Sequence, residues 1–119
     1  MRWFALCLIF AAGDAFGAFV DGKTLHGWCR ESARMAAGRD SDRVSSARCR
    51  SYLVAIHDGY EAYLEWGVVS NHFYCKPETV TYGQLQRVVV KYLEAHREKL
   101  DRDAGSMVLN AYMGAFPCT

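Results

Sequence analysis

The sequence predicts an all-α fold, a small disulfide-stapled four-helix bundle, and three observations predict it. Apolar residues recur at three- and four-residue steps through four segments, the spacing that gathers them on one face of a helix. Strand signals are sparse: Val88-Val89-Val90 is a β-branched run, but a capping box opens the segment that holds it and the flanking period is helical. Four of the five cysteines lie beyond residue 20, an even number in a chain whose start reads as an export signal.

That start comes first. Arg2 supplies a short positive region and Trp3 to Ala12 an unbroken apolar stretch, far below the roughly twenty residues that span a bilayer. Charge order and length are those of a secretory signal peptide over residues 1–17, with the small residues of Ala15-Phe16-Gly17 placing cleavage after Gly17. An uncleaved anchor helix is the alternative. Cleavage leaves residues 18–119 as a single domain, large enough for one modest core. The expected compartment is the periplasm of a Gram-negative cell, or outside it, where thiols pair. The whole chain carries a formal charge of +1. A balance so close to neutral, with no polybasic tail, argues against nucleic acid and against a membrane-bound mature form.

In the first segment, Asp21 to Arg39, Leu25, Trp28, Cys29 and Met35-Ala36 keep roughly helical spacing, and Gly38 marks the end. Arg39 to Ser46 reads as a turn. The second segment has the clearest stripe: Cys49, Tyr52, Leu53, Ile56, Tyr60, Tyr63, Leu64 and Gly67 face inward, while Arg50, Asp58, Glu61 and Glu65 fall opposite. Gly59 inside that helix points to a close helix crossing or a bend. A loop from Val69 to Val80 follows, in which Pro77 disfavours helix at Lys76. Thr81 and Gln84 have the S/T-x-x-E/Q spacing that caps a third helix, running to about Lys99 with Leu85, Val88, Val89, Tyr92 and Leu93 inward. Asp101 or Asp103 caps a fourth, with Met107, Val108, Ala111, Tyr112 and Ala115 inward, and Pro117 closes it.

Cys29, Cys49, Cys75 and Cys118 permit three pairings. Bonding Cys75 to Cys118 would tie down a terminus that otherwise frays, and Cys29–Cys49 would then join the first two helices. Other chemistry is weakly represented. His72-x-x-Cys75 has the spacing of a metal pair, but a structural zinc site needs four ligands. A catalytic Cys75 with His72 or His96 would need a free thiolate. Asp58 and Glu61 lie one turn apart but on the outer side of their helix, and His26, His57 and His96 read as helix-surface or cap residues. Neither a nucleophile elbow, a zincin motif nor a phosphate loop occurs, so the expectation is a protein that is not an enzyme and needs no cofactor.

Cys49-x-x-Tyr52-x-x-x-x-x-Asp58, Phe73-x-Cys75-x-Pro77, Gln84-Leu85, Tyr92-Leu93 and Phe116-Pro117-Cys118 fall in one order along the chain. Over about Leu25 to Cys118 that order resembles the Rap/Tai-type immunity proteins, small periplasmic helical proteins that neutralise peptidoglycan amidase toxins delivered by type VI secretion. The sequence departs from the family at Ser51 and Ala55, where glycines are usual, and at Arg97, where proline is usual. The small residues at 51 and 55 would preserve close helix packing.

The resemblance implies a steric inhibitor whose partner is a cognate secreted amidase, and a homodimer. His72, Phe73, Tyr74 and Lys76, in a loop stiffened by Pro77 and a disulfide at Cys75, are the expected anchor. The charged turn carrying Lys99 and Arg102 is a second candidate, and Trp66 a candidate for self-association. The competing class is a small periplasmic helical chaperone or envelope-stress binding protein without enzymatic activity.

Overall fold

Asp21, Asp42, Thr81 and Asp103 each accept a hydrogen bond from a backbone N–H two or three residues on, at 2.8, 3.0, 3.3 and 2.7 Å, and each opens a helix. The helices are α1 (Gly22–Ala36), α2 (Arg43–Glu65), α3 (Tyr82–Ala95) and α4 (Ala104–Ala115). This computed structural model describes residues 18–119, so the expected signal peptide, Cys7 included, lies outside the described residues. Four helices without a β-strand among the described residues make the all-α bundle that the periodicity predicts.

Local chemistry explains the ends. Thr81 and Gln84 close the expected capping box, with the Thr81 N–H donating to Gln84 Oε1 at 2.8 Å. Gly38 and Gly67 both take φ +70°, which stops α1 and α2 in left-handed turns. The N–H groups of Gly38 and Arg39 return to Met35 and Arg34, and those of Gly67 and Val68 to Leu64 and Tyr63. The first turn is shorter than expected: α2 begins at Arg43 because Asp42, inside the polar interval, is the residue that caps it. The corner after α3 is made by His96, whose ring stacks 4.0 Å from Tyr92 and whose Nδ1 lies 2.8 Å from the Tyr92 carbonyl oxygen. A 3₁₀ turn, Arg97–Lys99, follows.

The two disulfides are Cys29–Cys49, bolting α1 to α2, and Cys75–Cys118, joining the loop before α3 to the tail beyond α4. Of the three possible pairings this is the one the helix layout favours. Leu25, Leu53, Val89, Leu93, Val108 and Tyr112 are completely buried between the helices. The Tyr112 hydroxyl donates to the Leu53 carbonyl at 3.1 Å, which satisfies a polar atom in that core.

α1 starts against the loop that precedes α4. Gly22 and Lys23 donate their N–H groups to the carbonyls of Arg102 and Leu100 at 2.9 and 2.8 Å, and Ala104 donates to Val20 at 2.9 Å. A side chain at Gly22 has no room: its Cβ would lie 2.5 Å from Met107 Sδ and 3.1 Å from the Leu100 carbonyl oxygen. Gly22→Ala is therefore expected to destabilise the fold by about 1–3 kcal/mol, read as a lowered urea midpoint with an unchanged slope.

Gly59 differs from expectation. No heavy atom lies within 4 Å of a Cβ built there, so no helix among the described residues crosses close to it, and α2 runs through it unbroken. Ser51 and Ala55 are likewise exposed among the described residues. His26, expected at a surface or cap, is buried, and its Nε2 has no hydrogen-bond partner. Burial and the Arg30 charge hold its pKa below the ordinary value, so it stays neutral in the core wall. Among the described residues no helix is long and apolar enough to cross a membrane.

Candidate functional site

The segment between α2 and α3 has little regular structure, and four fixtures hold it. Gly67 turns it away from α2. The Phe73 N–H donates to the Tyr60 hydroxyl at 2.8 Å, the Cys75 N–H donates to the Phe116 carbonyl at 2.8 Å, and Cys75 is bonded to Cys118. Between these points the aromatic pair separates. Tyr74 enters the core at 1% exposure, stacked on Tyr60 at 4.5 Å, while Phe73 lies 5.9 Å from the outer side of Tyr60 and is 52% exposed.

This corrects one expected anchor. Tyr74 does not reach a partner, because its ring fills the space between Tyr60 and Tyr112 and its hydroxyl lies 2.7 Å from His57 Nδ1. Burial holds the Tyr74 phenol well above its ordinary pKa, so the group stays a neutral O–H. The His57 pKa is pushed below the ordinary value by burial and by the Lys76 charge, against the weaker pull of Glu61, whose carboxylate lies 3.8 Å from Nε2. A neutral His57 and a protonated Tyr74 make a structural hydrogen bond.

The other expected residues divide into two groups. His72 and Phe73 are exposed and Lys76 is half-buried, all beside the C-terminal end of α4. Lys99 and Arg102 precede Asp103, the cap at the opposite end of the same helix. A twelve-residue helix is about 18 Å long, so the two sets are separate surfaces. Arg102 is also tied by its backbone carbonyl to Gly22, although its side chain is exposed.

Phe73 instead shares a groove with Trp66. Both line an open groove of about 430 Å³ whose other walls include Ile56, Gly59, Tyr63, Val69 and Leu109. Trp66 is 69% exposed and Tyr63 51%, their rings 6.2 Å apart, and Val68 beside them is 68% exposed. Tyr63, Trp66, Val68 and Phe73 together form an exposed apolar ridge at this end of α2. Periodicity assigns Tyr63 to the buried stripe. It is exposed in the last turn of α2, beyond Tyr60, the last buried residue of that helix. Periodicity places Gly67 on the inward stripe too; taken as a helix stop instead, it would have put Tyr63 and Trp66 in a terminal turn. Nothing local identifies Leu109 as a wall.

The sulfur chemistry is equally definite. Cys75 is bonded to Cys118, so it offers neither a nucleophilic thiolate nor a metal ligand beside His72. Among the described residues no group of three or more His, Cys, Asp or Glu side chains could hold a metal ion.

Fold and surface together define a class: a small helical domain, crosslinked twice, that presents a rigid aromatic ridge. The chain belongs to the Rap1a immunity protein family, whose model, described as Rap1a immunity proteins, matches residues 21–118. That span takes in all four helices and both disulfides. No curated protein matches the chain. Membership makes it an immunity protein that acts against a toxin, and its partner is the cognate toxin protein.

Proposed function

We propose that this immunity protein is exported by its first 17 residues to the periplasm. There it binds a peptidoglycan amidase toxin delivered by type VI secretion, covers the catalytic cleft, and catalyses nothing itself. The observation that carries this reading is the family match across residues 21–118. The pinned loop supports it: Phe73 stands on Tyr60 and is fixed on one side by the Cys75–Cys118 bond, so little ordering entropy is lost on docking. Neutralisation at cellular concentrations calls for nanomolar affinity, about −12 kcal/mol, and an interface near 800 Å² on each partner. The Trp66–Phe73 groove is the anchor of that interface, and His72 and Lys76, from the same pinned loop as Phe73, add polar contacts. A homodimer would use the exposed small-residue face of α2 at Ser51, Ala55 and Gly59.

The test is expression of the amidase in the periplasm with and without this protein. Lysis should be suppressed by co-expression at equal levels, and continued lysis would overturn the reading. Replacing both Phe73 and Trp66 with alanine should weaken toxin binding at least thirtyfold in a calorimetric titration, about 2 kcal/mol. Stability should change by less than about 1 kcal/mol, since both rings are largely solvent-exposed. Light scattering that finds only monomer would remove the dimer and leave occlusion intact.

A further inference from the structure

At the far end of α2 lies a second and larger groove, about 1110 Å³, between the last turn of α1, the first turns of α2 and the first turns of α3. Arg39, Arg43, Arg50 and Arg87 line it, and Asp40 is the one carboxylate among its lining residues. The neighbouring acids are committed to the turn: Asp42 accepts from the Val44 N–H and the Ser45 hydroxyl, and Glu31 accepts from the Asp42 N–H. Among the described residues the carboxylates within 4.0 Å of a basic side chain are Glu94 beside His26 and Glu61 beside His57, so none of these four guanidinium groups has a carboxylate that close. The floor is polar and fixed. Ser32 and Gln86, each 6% exposed, share a hydrogen bond at 2.5 Å, and Arg50 is held 5.0 Å over the Tyr82 ring. Met35 and Ala47 add apolar wall between the charges.

This arrangement costs stability. Arg43 is the first residue of α2, where the positive end of the helix dipole already lies, and four unpaired like charges repel one another. We propose that the groove binds an acidic, extended peptide segment of a partner protein, its carboxylates forked by the arginines and its small apolar side chains on Met35 and Ala47. A guanidinium matches a carboxylate with two parallel hydrogen bonds. The volume is at or above the upper end of ordinary small-molecule sites, which suits several residues of chain and not a single phosphate. The charges surround a recess, whereas a lipid surface is met by a flat or convex basic face. The proposal is independent of the toxin's identity and of the aromatic ridge.

The experiment titrates the mature chain with a short synthetic peptide of alternating glutamate and alanine, at low salt. Three probes run in parallel: the lysine–alanine counterpart, inorganic phosphate, and phosphatidylglycerol-containing vesicles. The acidic peptide should bind and the lysine peptide should not. About 0.5 M salt should weaken the complex at least tenfold, since such charges are screened within a few ångström. R43Q combined with R87Q should also lose at least tenfold in affinity while the thermal midpoint stays level or rises, because like-charge repulsion has been relieved. In the unsubstituted protein, the peptide should shift the amide resonances of Gly83 and Gln86 and leave the Trp66 indole unmoved. Wild-type affinity in the double variant, equal binding of the lysine peptide, a shifted Trp66 with unmoved Gly83, or binding of phosphate or vesicles in place of the peptide would each overturn the proposal.

Discussion

Replacing Tyr74 with alanine is expected to destabilise the fold by about 3–5 kcal/mol, the range for removing a large aromatic from a packed core. The ring is 1% exposed and packs against three others, Tyr60 at 4.5 Å, Tyr112 at 5.3 Å and His57 at 5.8 Å, so truncation leaves a cavity whose walls belong to α2 and α4. Those helices cannot close over it easily, because Tyr112 is tethered to Leu53 and Tyr60 to Phe73. Tyr74→Phe separates packing from polarity. It keeps the ring and removes only the hydroxyl at 2.7 Å from His57 Nδ1, for about 1 kcal/mol. Urea unfolding of the two variants should therefore rank alanine far below phenylalanine. A Tyr74→Ala protein with wild-type stability but lost toxin binding would mean that the ring faces a partner after all.

The contrast between Phe73 and Tyr74 shows where reading from sequence stops. Within a helix the period tells which side faces in, and that was enough for Leu25, Cys49, Leu53, Leu85, Val89, Leu93 and Tyr112. Thr81-x-x-Gln84 announced its helix because both halves of the cap lie three residues apart. In the loop no period exists, and two adjacent aromatics look equivalent. What sorts them is distant in sequence: the Tyr60 hydroxyl takes the Phe73 N–H, and Cys118 holds Cys75. The period likewise assigns Tyr63 inward, and its place in the last turn of α2 leaves it exposed. The arginine groove is the extreme case, since Arg39, Arg43, Arg50 and Arg87 belong to a turn and two helices that only the folded chain brings together.

Changing Cys75 and Cys118 together to serine is expected to cost about 4 kcal/mol in the chain-entropy model, given a sequence separation of 43 between the two. The same model assigns about 3 kcal/mol to Cys29–Cys49, whose separation is 20. Burial makes the two bonds behave differently. Cys29 and Cys49 are fully buried, so serines there add the cost of unsatisfied hydroxyls to the loss of the crosslink. Cys75 and Cys118 are exposed, so their serines stay hydrated and the measured loss reports the crosslink with little else. Accessibility also sets the order of reduction. Mild reductant on the folded protein should open Cys75–Cys118 first, and mass spectrometry after alkylation should find label at those two positions while Cys29 and Cys49 remain unlabelled. If toxin affinity falls in that half-reduced species while the helical signal persists, the bond's second role is to hold Phe73 in its docking position. If affinity is unchanged, the Tyr60 contact alone suffices to place the ring, and the crosslink serves stability only.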